Sequence, residues 1–234
     1  MTGITKLSKI NIINATKQHT ASLFFFHGSG SSGDEVKEWI DILNREEFKF
    51  PHIKILYPSA PPQPYTAFNG MVSNVWFDRK RISINVPEQV DSIDSMCNIV
   101  SELIDKEVSD GIPDNRIAVG GFSMGGALAF HLAYRIRPTL AGCVAMSSFL
   151  NKNSVVYEVC LYILFLYSLR VPLLQFHGLT DDLVPIKWGE ETYKTLTEHG
   201  VNSKFVPLNS TNHELVKTEI DAFRQWLLDI LPEK

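Results

Sequence analysis

Arg116-Ile117-Ala118-Val119-Gly120-Gly121-Phe122-Ser123-Met124-Gly125-Gly126-Ala127-Leu128-Ala129-Phe130-His131 is the stretch whose reading decides the fold. Arg116 to Gly120 reads as a short buried strand. Ala127 to Arg135 reads as a helix of small and apolar residues. Between them lies G-x-S-x-G, and a serine on so sharp a strand-to-helix turn is lifted off the sheet with its hydroxyl presented. The glycines two before and two after Ser123 leave room for the close approach of backbone that such a turn needs. The pentapeptide alone occurs by chance; the flanking strand and helix make Ser123 a candidate nucleophile.

Working outward, strands and helices alternate steadily. Leu7 to Ile13 alternates roughly and reads as an edge strand. Ala21 to Phe26 is a continuous apolar run, as expected of a strand covered on both faces. It runs into His27-Gly28-Ser29-Gly30-Ser31-Ser32-Gly33 and then a helix over Asp34 to Leu43, with Asp34 and Glu35 suited to its first turn. The glycines satisfy G-x-G-x-x-G, but a dinucleotide site also needs an acidic residue near the end of the next strand. That strand is Ile53 to Tyr57, and no Asp or Glu occurs from Phe48 to Phe77. The loop therefore reads instead as one whose backbone N–H groups face a reacting carbonyl.

Pro58 to Pro64 reads as a rigid loop. A long helix follows over Pro87 to Val108, then the elbow. Leu140 to Met146, Leu173 to Phe176 and Ser203 to Val206 read as strands; Lys187 to His199 and Leu215 to Leu231 read as helices. The pattern predicts a single α/β domain over 1–234, with a doubly wound, mostly parallel sheet and helices on both faces. Ligands in such sheets bind at the carboxyl ends of the strands. One stretch fits poorly: Val159 to Leu169 is uncharged, nearly all apolar and too short to span a bilayer. A buried helix, an exposed flap and non-native sequence are the open readings.

The net charge of −4 does not point to a nucleic-acid surface, and Arg79-Lys80-Arg81 after Asp78 reads as a solvated turn. The cysteines number three, without C-x-x-C spacing, which argues against a disulfide framework or zinc site. Met1 to Lys6 lacks the apolar core of a signal peptide, so the expected compartment is the cytosol.

A serine hydroxyl needs a base, usually histidine, oriented by a carboxylate. After Ser123 the carboxylate should follow a late strand, and Asp181 and Asp182 both do so; the pattern does not separate them. His213 follows the last strand and precedes the last helix, where the base belongs. His199 sits at a helix end. His27 and His177 each begin a loop and read as braces for it. The loop aromatics Phe68, Trp76 and Phe77, with Phe149, either line an acyl pocket or pack in the core.

At these residues the chain resembles the acyl-protein thioesterase and lysophospholipase family of α/β-hydrolases. The matching stretches are His27 to Gly30, Ser73 to Arg79, Gly120 to Gly126, His131 to Arg135, Ser147 to Lys152 and Asn212 to Leu215. The resemblance implies an α/β-hydrolase fold and a triad of Ser123, His213 and Asp181. It implies oxyanion donors at the backbone N–H groups of Ser29 and Met124. It also implies cleavage of short-chain carboxylic esters and of acyl thioesters, including S-palmitoyl cysteine on proteins, without metal or organic cofactor. Met124 stands where the thioesterases proper carry glutamine; this resembles a lysophospholipase-like subgroup with a shallow acyl site. The expected partners are small acyl substrates and S-acylated proteins, with transient membrane-surface contact and no nucleic acid. The rival reading is a catalytically weak lipid- or protein-binding module on the same fold.

Overall fold

The structure is a computed structural model that describes residues 6–166 and 171–233; side chains over 161–170 lie outside the described set. Its centre is a seven-stranded sheet. In chain order the strands of that sheet are β1 (Lys9–Ile13), β2 (Ala21–Phe26), β3 (Ile53–Ser59), β6 (Ile117–Phe122), β7 (Gly142–Met146), β8 (Leu173–Gly178) and β9 (Ser203–Leu208). Two further strands, β4 (Pro62–Tyr65) and β5 (Met71–Asn74), form a separate antiparallel hairpin. The order across the main sheet is β1-β3-β2-β6-β7-β8-β9, and every pairing is parallel except that of β1 with β3.

Burial explains the strand patterns. All six residues of β2 are buried, as are all of β6, β7 and β8, so these strands carry continuous runs rather than alternation. The edge strand β1 keeps only Ile13 buried. Helices cover both faces. Helices α1 (Gly33–Asn44) and α6 (Lys217–Ile230) close one face over Phe25, Tyr57, Val144 and Phe176. Helices α2 (Val90–Ser109), α3 (Met124–His131), α4 (Val155–Leu166) and α5 (Ile186–Glu198) lie on the other, over Phe24, Phe26, Val119 and Ala145. At the start of α1 the Ser32 hydroxyl accepts from Glu35 N at 3.2 Å, and Gly33 N donates to the Ser59 hydroxyl at 2.9 Å.

The chain leaves β2 through α1 to β3 in one direction, whereas β6 to β9 are laid down in the other. The reversal falls between β2 and β6, and a crevice at the carboxyl ends of those two strands is the favoured ligand site of an open α/β sheet. The loop His27–Gly33 and the turn at Ser123 leave from those two ends.

Two expectations change. Pro58 to Pro64 is not a plain loop: β3 continues through Pro58 to Ser59, and Pro62–Tyr65 is the first strand of the hairpin. The helix after the elbow is α-helical only to His131 and turns π-helical over Leu132–Ile136. Of the apolar stretch Val159 to Leu169, the backbone is helical as far as Leu166 and Cys160 is buried. Its side chains beyond that point lie outside the described residues. No described helix is long and apolar enough to cross a membrane.

Candidate active site

Ser123 sits between β6 and α3 with φ 54° and ψ −118°, a conformation that costs a non-glycine residue about 1–3 kcal/mol. The surroundings hold it there. Ser123 N donates to Met146 O at 2.8 Å, and the Ser148 hydroxyl donates to Ser123 O at 2.7 Å. The flanking glycines are required by contact. A Cβ on Gly121 would lie 2.6 Å from Phe26 O, and one on Gly125 would lie 2.2 Å from the same atom. The turn is thus pressed against the end of β2.

The loop after β2 is braced from behind. His27 Nδ1 donates to Gly28 O at 2.6 Å, and His27 Nε2 accepts from Ala60 N at 3.0 Å. Trp76 Nε1 donates to His27 O at 2.8 Å. The hairpin clamps the far side: Gly30 N donates to Asn74 O at 2.9 Å, and Asn74 Nδ2 donates to Ser31 O at 3.2 Å. The Ser29 hydroxyl points to Met124 Sδ at 3.6 Å, which ties this loop to the start of α3. Among the described residues, neither Ser29 N nor Met124 N donates to another group. Met124 is the first residue of α3, where backbone N–H groups have no partner within the helix.

Burial pushes the His27 pKa down to about 4, against opposing contributions from the Gly28 carbonyl and the Glu35 charge. An unfolded histidine titrates near ~6.5. Between those values the unfolded chain binds a proton that the folded chain refuses. The contribution of His27 is therefore full above about pH 6.5 and drains as pH falls towards 4, to the extent of about 3 kcal/mol. His27→Gln retains a donor and an acceptor but does not titrate. Its urea midpoint should fall less between pH 7 and pH 5 than that of the unaltered chain; parallel curves would refute a neutral, buried His27.

The third loop follows β8. Asp181 is buried, and its Oδ1 accepts from Leu183 N at 3.1 Å and Val184 N at 2.7 Å. His213 Nδ1 donates to Asp181 Oδ2 at 2.8 Å. Because a carboxylate only accepts, this bond fixes the proton of a neutral ring on Nδ1 and leaves Nε2 as the acceptor. Asp182 is exposed, and among the described residues only its backbone N–H is engaged, donating to Asn212 Oδ1 at 3.0 Å. The same Asn212 oxygen accepts from His213 N at 2.8 Å, so one amide joins the acid and histidine loops. The Phe122 ring lies 4.8 Å from that of His213. His177 Nε2 donates to Val184 O at 2.8 Å, and burial lowers its pKa; like His27, it braces a loop.

Ser123, His213, Gly28 and Ser29 line one cavity of about 160 Å³, together with Ser31, Trp39, Phe68, Arg79 and Leu183, among others. Of the four candidate pocket aromatics, Phe68 lines it and is partly exposed. Trp76 is fully buried behind His27, and its ring packs edge-on to Phe26. Phe77 and Phe149 are also buried and are not among the lining residues. Core packing is what the structure assigns these three. Arg79 is a correction in the other direction. It is not part of a solvated turn but lines the cavity, while Lys80 and Arg81 are exposed. No group of three or more His, Cys, Asp or Glu side chains among the described residues is arranged to hold a metal ion.

A doubly wound sheet with a strained serine at its switch point defines the class: this is an α/β-hydrolase. The chain belongs to the Phospholipase/Carboxylesterase family, which matches residues 7–230. It is 49% identical to lysophospholipase-like protein 1 of Mus musculus over 222 residues, covering 94% of this chain and 91% of the mouse protein. It is 31% identical to acyl-protein thioesterase 1 homolog 1 of Dictyostelium discoideum, covering 92% of each. The crystal structure of acyl-protein thioesterase 2 of Zea mays superposes with a TM-score of 0.79 at 26% identity, covering 95% of this chain and 99% of that one.

Proposed function

We propose that this hydrolase cleaves short-chain carboxylic esters and acyl thioesters, S-acyl cysteine on proteins among them, through Ser123, His213 and Asp181. The observation that carries the reading is the 2.8 Å bond from His213 Nδ1 to buried Asp181, with His213 and Ser123 lining one cavity. In this reading Ser123 Oγ attacks the acyl carbon while His213 Nε2 takes the hydroxyl proton. Asp181 keeps the imidazole in the required tautomer and stabilises its charged form. The oxyanion of the tetrahedral intermediate is met by Ser29 N and Met124 N, at the positive end of α3. Loss of one such donor typically costs about 3 kcal/mol of barrier. Collapse expels the alcohol or thiol, which receives the proton from His213. Water then repeats the sequence on the acyl-serine and releases the acid.

The small cavity supports a short acyl preference. About 160 Å³ is below the ~300–1,000 Å³ usual for sites that enclose a drug-sized ligand. Trp76, Phe77 and Phe149 are not among the residues that line this cavity. kcat/KM for p-nitrophenyl esters should peak at short acyl chains and decline by octanoyl. Palmitoyl thioesters should be cleaved more slowly, and best on a protein that contributes binding energy elsewhere. A steady rise from acetyl to palmitoyl, measured below the micelle concentrations, would refute the shallow site; no turnover of any member would refute the hydrolysis itself. Transient membrane contact is part of the proposal, supported by exposed Phe68, Met71 and Val72. So are a single domain over 1–234, supported by the span of the family match, and a cytosolic location, supported by buried free thiols at Cys97 and Cys143.

A further inference from the structure

Arg79 brings a cation to the catalytic cavity. Its guanidinium carbon lies 5.1 Å from the ring centroid of Phe77 and 5.4 Å from that of Phe149, so two buried rings hold it. Among the described residues no carboxylate is within ion-pair distance of it, and no Asp or Glu lines the cavity. Carboxylates close to it in sequence or field are already engaged. Asp78 accepts from Thr66 N at 2.8 Å and Thr66 Oγ1 at 2.6 Å. Glu88 faces His131 Nε2 at 3.3 Å and accepts from Val155 N at 3.2 Å. Arg79 is half-buried, and burial lowers its pKa against the raising fields of Tyr65 and Glu88, as for a charge partly removed from water. Such a charge is costly unless an anion completes it, and the planar guanidinium fork matches a carboxylate in particular.

We propose that Arg79 is an anion-recognition residue of the catalytic cavity, and that the preferred esters carry a carboxylate a few atoms from the scissile carbonyl. This rests on the esterase reading above and sharpens its substrate class. The carboxylate belongs either to the acyl half, as in a monoester of a short dicarboxylic acid, or to the leaving group. Hydrolysis of the first consumes one water and yields the diacid and an alcohol. The cavity is small enough that an acyl chain reaching Arg79 from Ser123 is short. The same charge works against a long alkyl chain, for which it offers no apolar partner.

The test compares kcat/KM in matched pairs, with uncatalysed rates subtracted. Mono-4-nitrophenyl glutarate against 4-nitrophenyl hexanoate probes the acyl half; 4-carboxyphenyl butyrate against phenyl butyrate probes the leaving group. In the unaltered chain the carboxylate ester should win in at least one pair. In Arg79→Gln that pair's ratio should fall about ten-fold or more, and Arg79→Lys should restore part of it. The ratio is indifferent to a general loss of folded enzyme, which lowers both members together. Turnover of the neutral esters tests the esterase reading separately. Neutral esters winning both pairs in the unaltered chain, or ratios unchanged across the three proteins, would overturn the role of Arg79.

Discussion

Ser123→Ala is expected to lower kcat for p-nitrophenyl butyrate on the order of 10⁶-fold, to the level left by binding and the oxyanion donors alone. The size of the effect follows from the geometry. The turn that presents Ser123 is held by Met146 O, by the Ser148 hydroxyl and by the contact of Gly121 and Gly125 with the end of β2, none of which uses the Ser123 hydroxyl. Removing one oxygen should therefore leave the fold intact, with a urea midpoint close to that of the unaltered chain. Substrate binding should survive too, because the cavity keeps Gly28, Ser29 and Phe68. Retention of more than about a hundredth of the rate would place the nucleophile elsewhere.

The second large effect separates two adjacent carboxylates. Asp181→Asn should cost about 10⁴-fold in kcat, whereas Asp182→Asn should change it little. Asp181 Oδ1 is fixed by two backbone N–H groups and Oδ2 by His213 Nδ1. An asparagine there must place its NH₂ against either the Leu183 and Val184 N–H groups or the histidine. The second placement turns the imidazole to the tautomer whose Nε2 bears the proton and cannot act as a base. Asp182 is exposed, and its side chain makes no hydrogen bond among the described residues. Kinetics of the two variants side by side give the answer, and a larger loss in Asp182→Asn would reject the acid proposed here.

That distinction shows where the sequence is legible. Asp181 and Asp182 differ only in which one the turn folds inward, a matter decided by the amides of Leu183 and Val184 and by a histidine more than thirty positions on. Spacing carries no trace of it, and only the family resemblance separated them. The elbow is legible because its constraints are local: two glycines where backbone touches backbone, a buried strand before and a helix after. The central strands are legible because burial on both faces gives unbroken runs such as Leu23 to Phe26. The hairpin of β4 and β5 is not legible because it shows no such run. Pro62 and Pro64 read as loop, and Met71 and Val72 point to solvent. Yet it is this hairpin, through Asn74, that holds the loop bearing Ser29. Arg79 is illegible for a related reason. A basic residue beside Lys80 and Arg81 looks solvated until the fold lays it over Phe77 and Phe149. The one signal available was its place directly after Trp76-Phe77-Asp78.

The claim on which the rest depends is that Ser123 forms the covalent intermediate. Treatment of the unaltered chain with a fluorophosphonate, followed by tryptic digestion and fragment mass spectrometry, tests it without reference to any substrate. One phosphonyl adduct is expected, on Ser123 within the peptide from Ile117 to Arg135. An adduct on another serine, or none from a folded chain that hydrolyses esters, would contradict it.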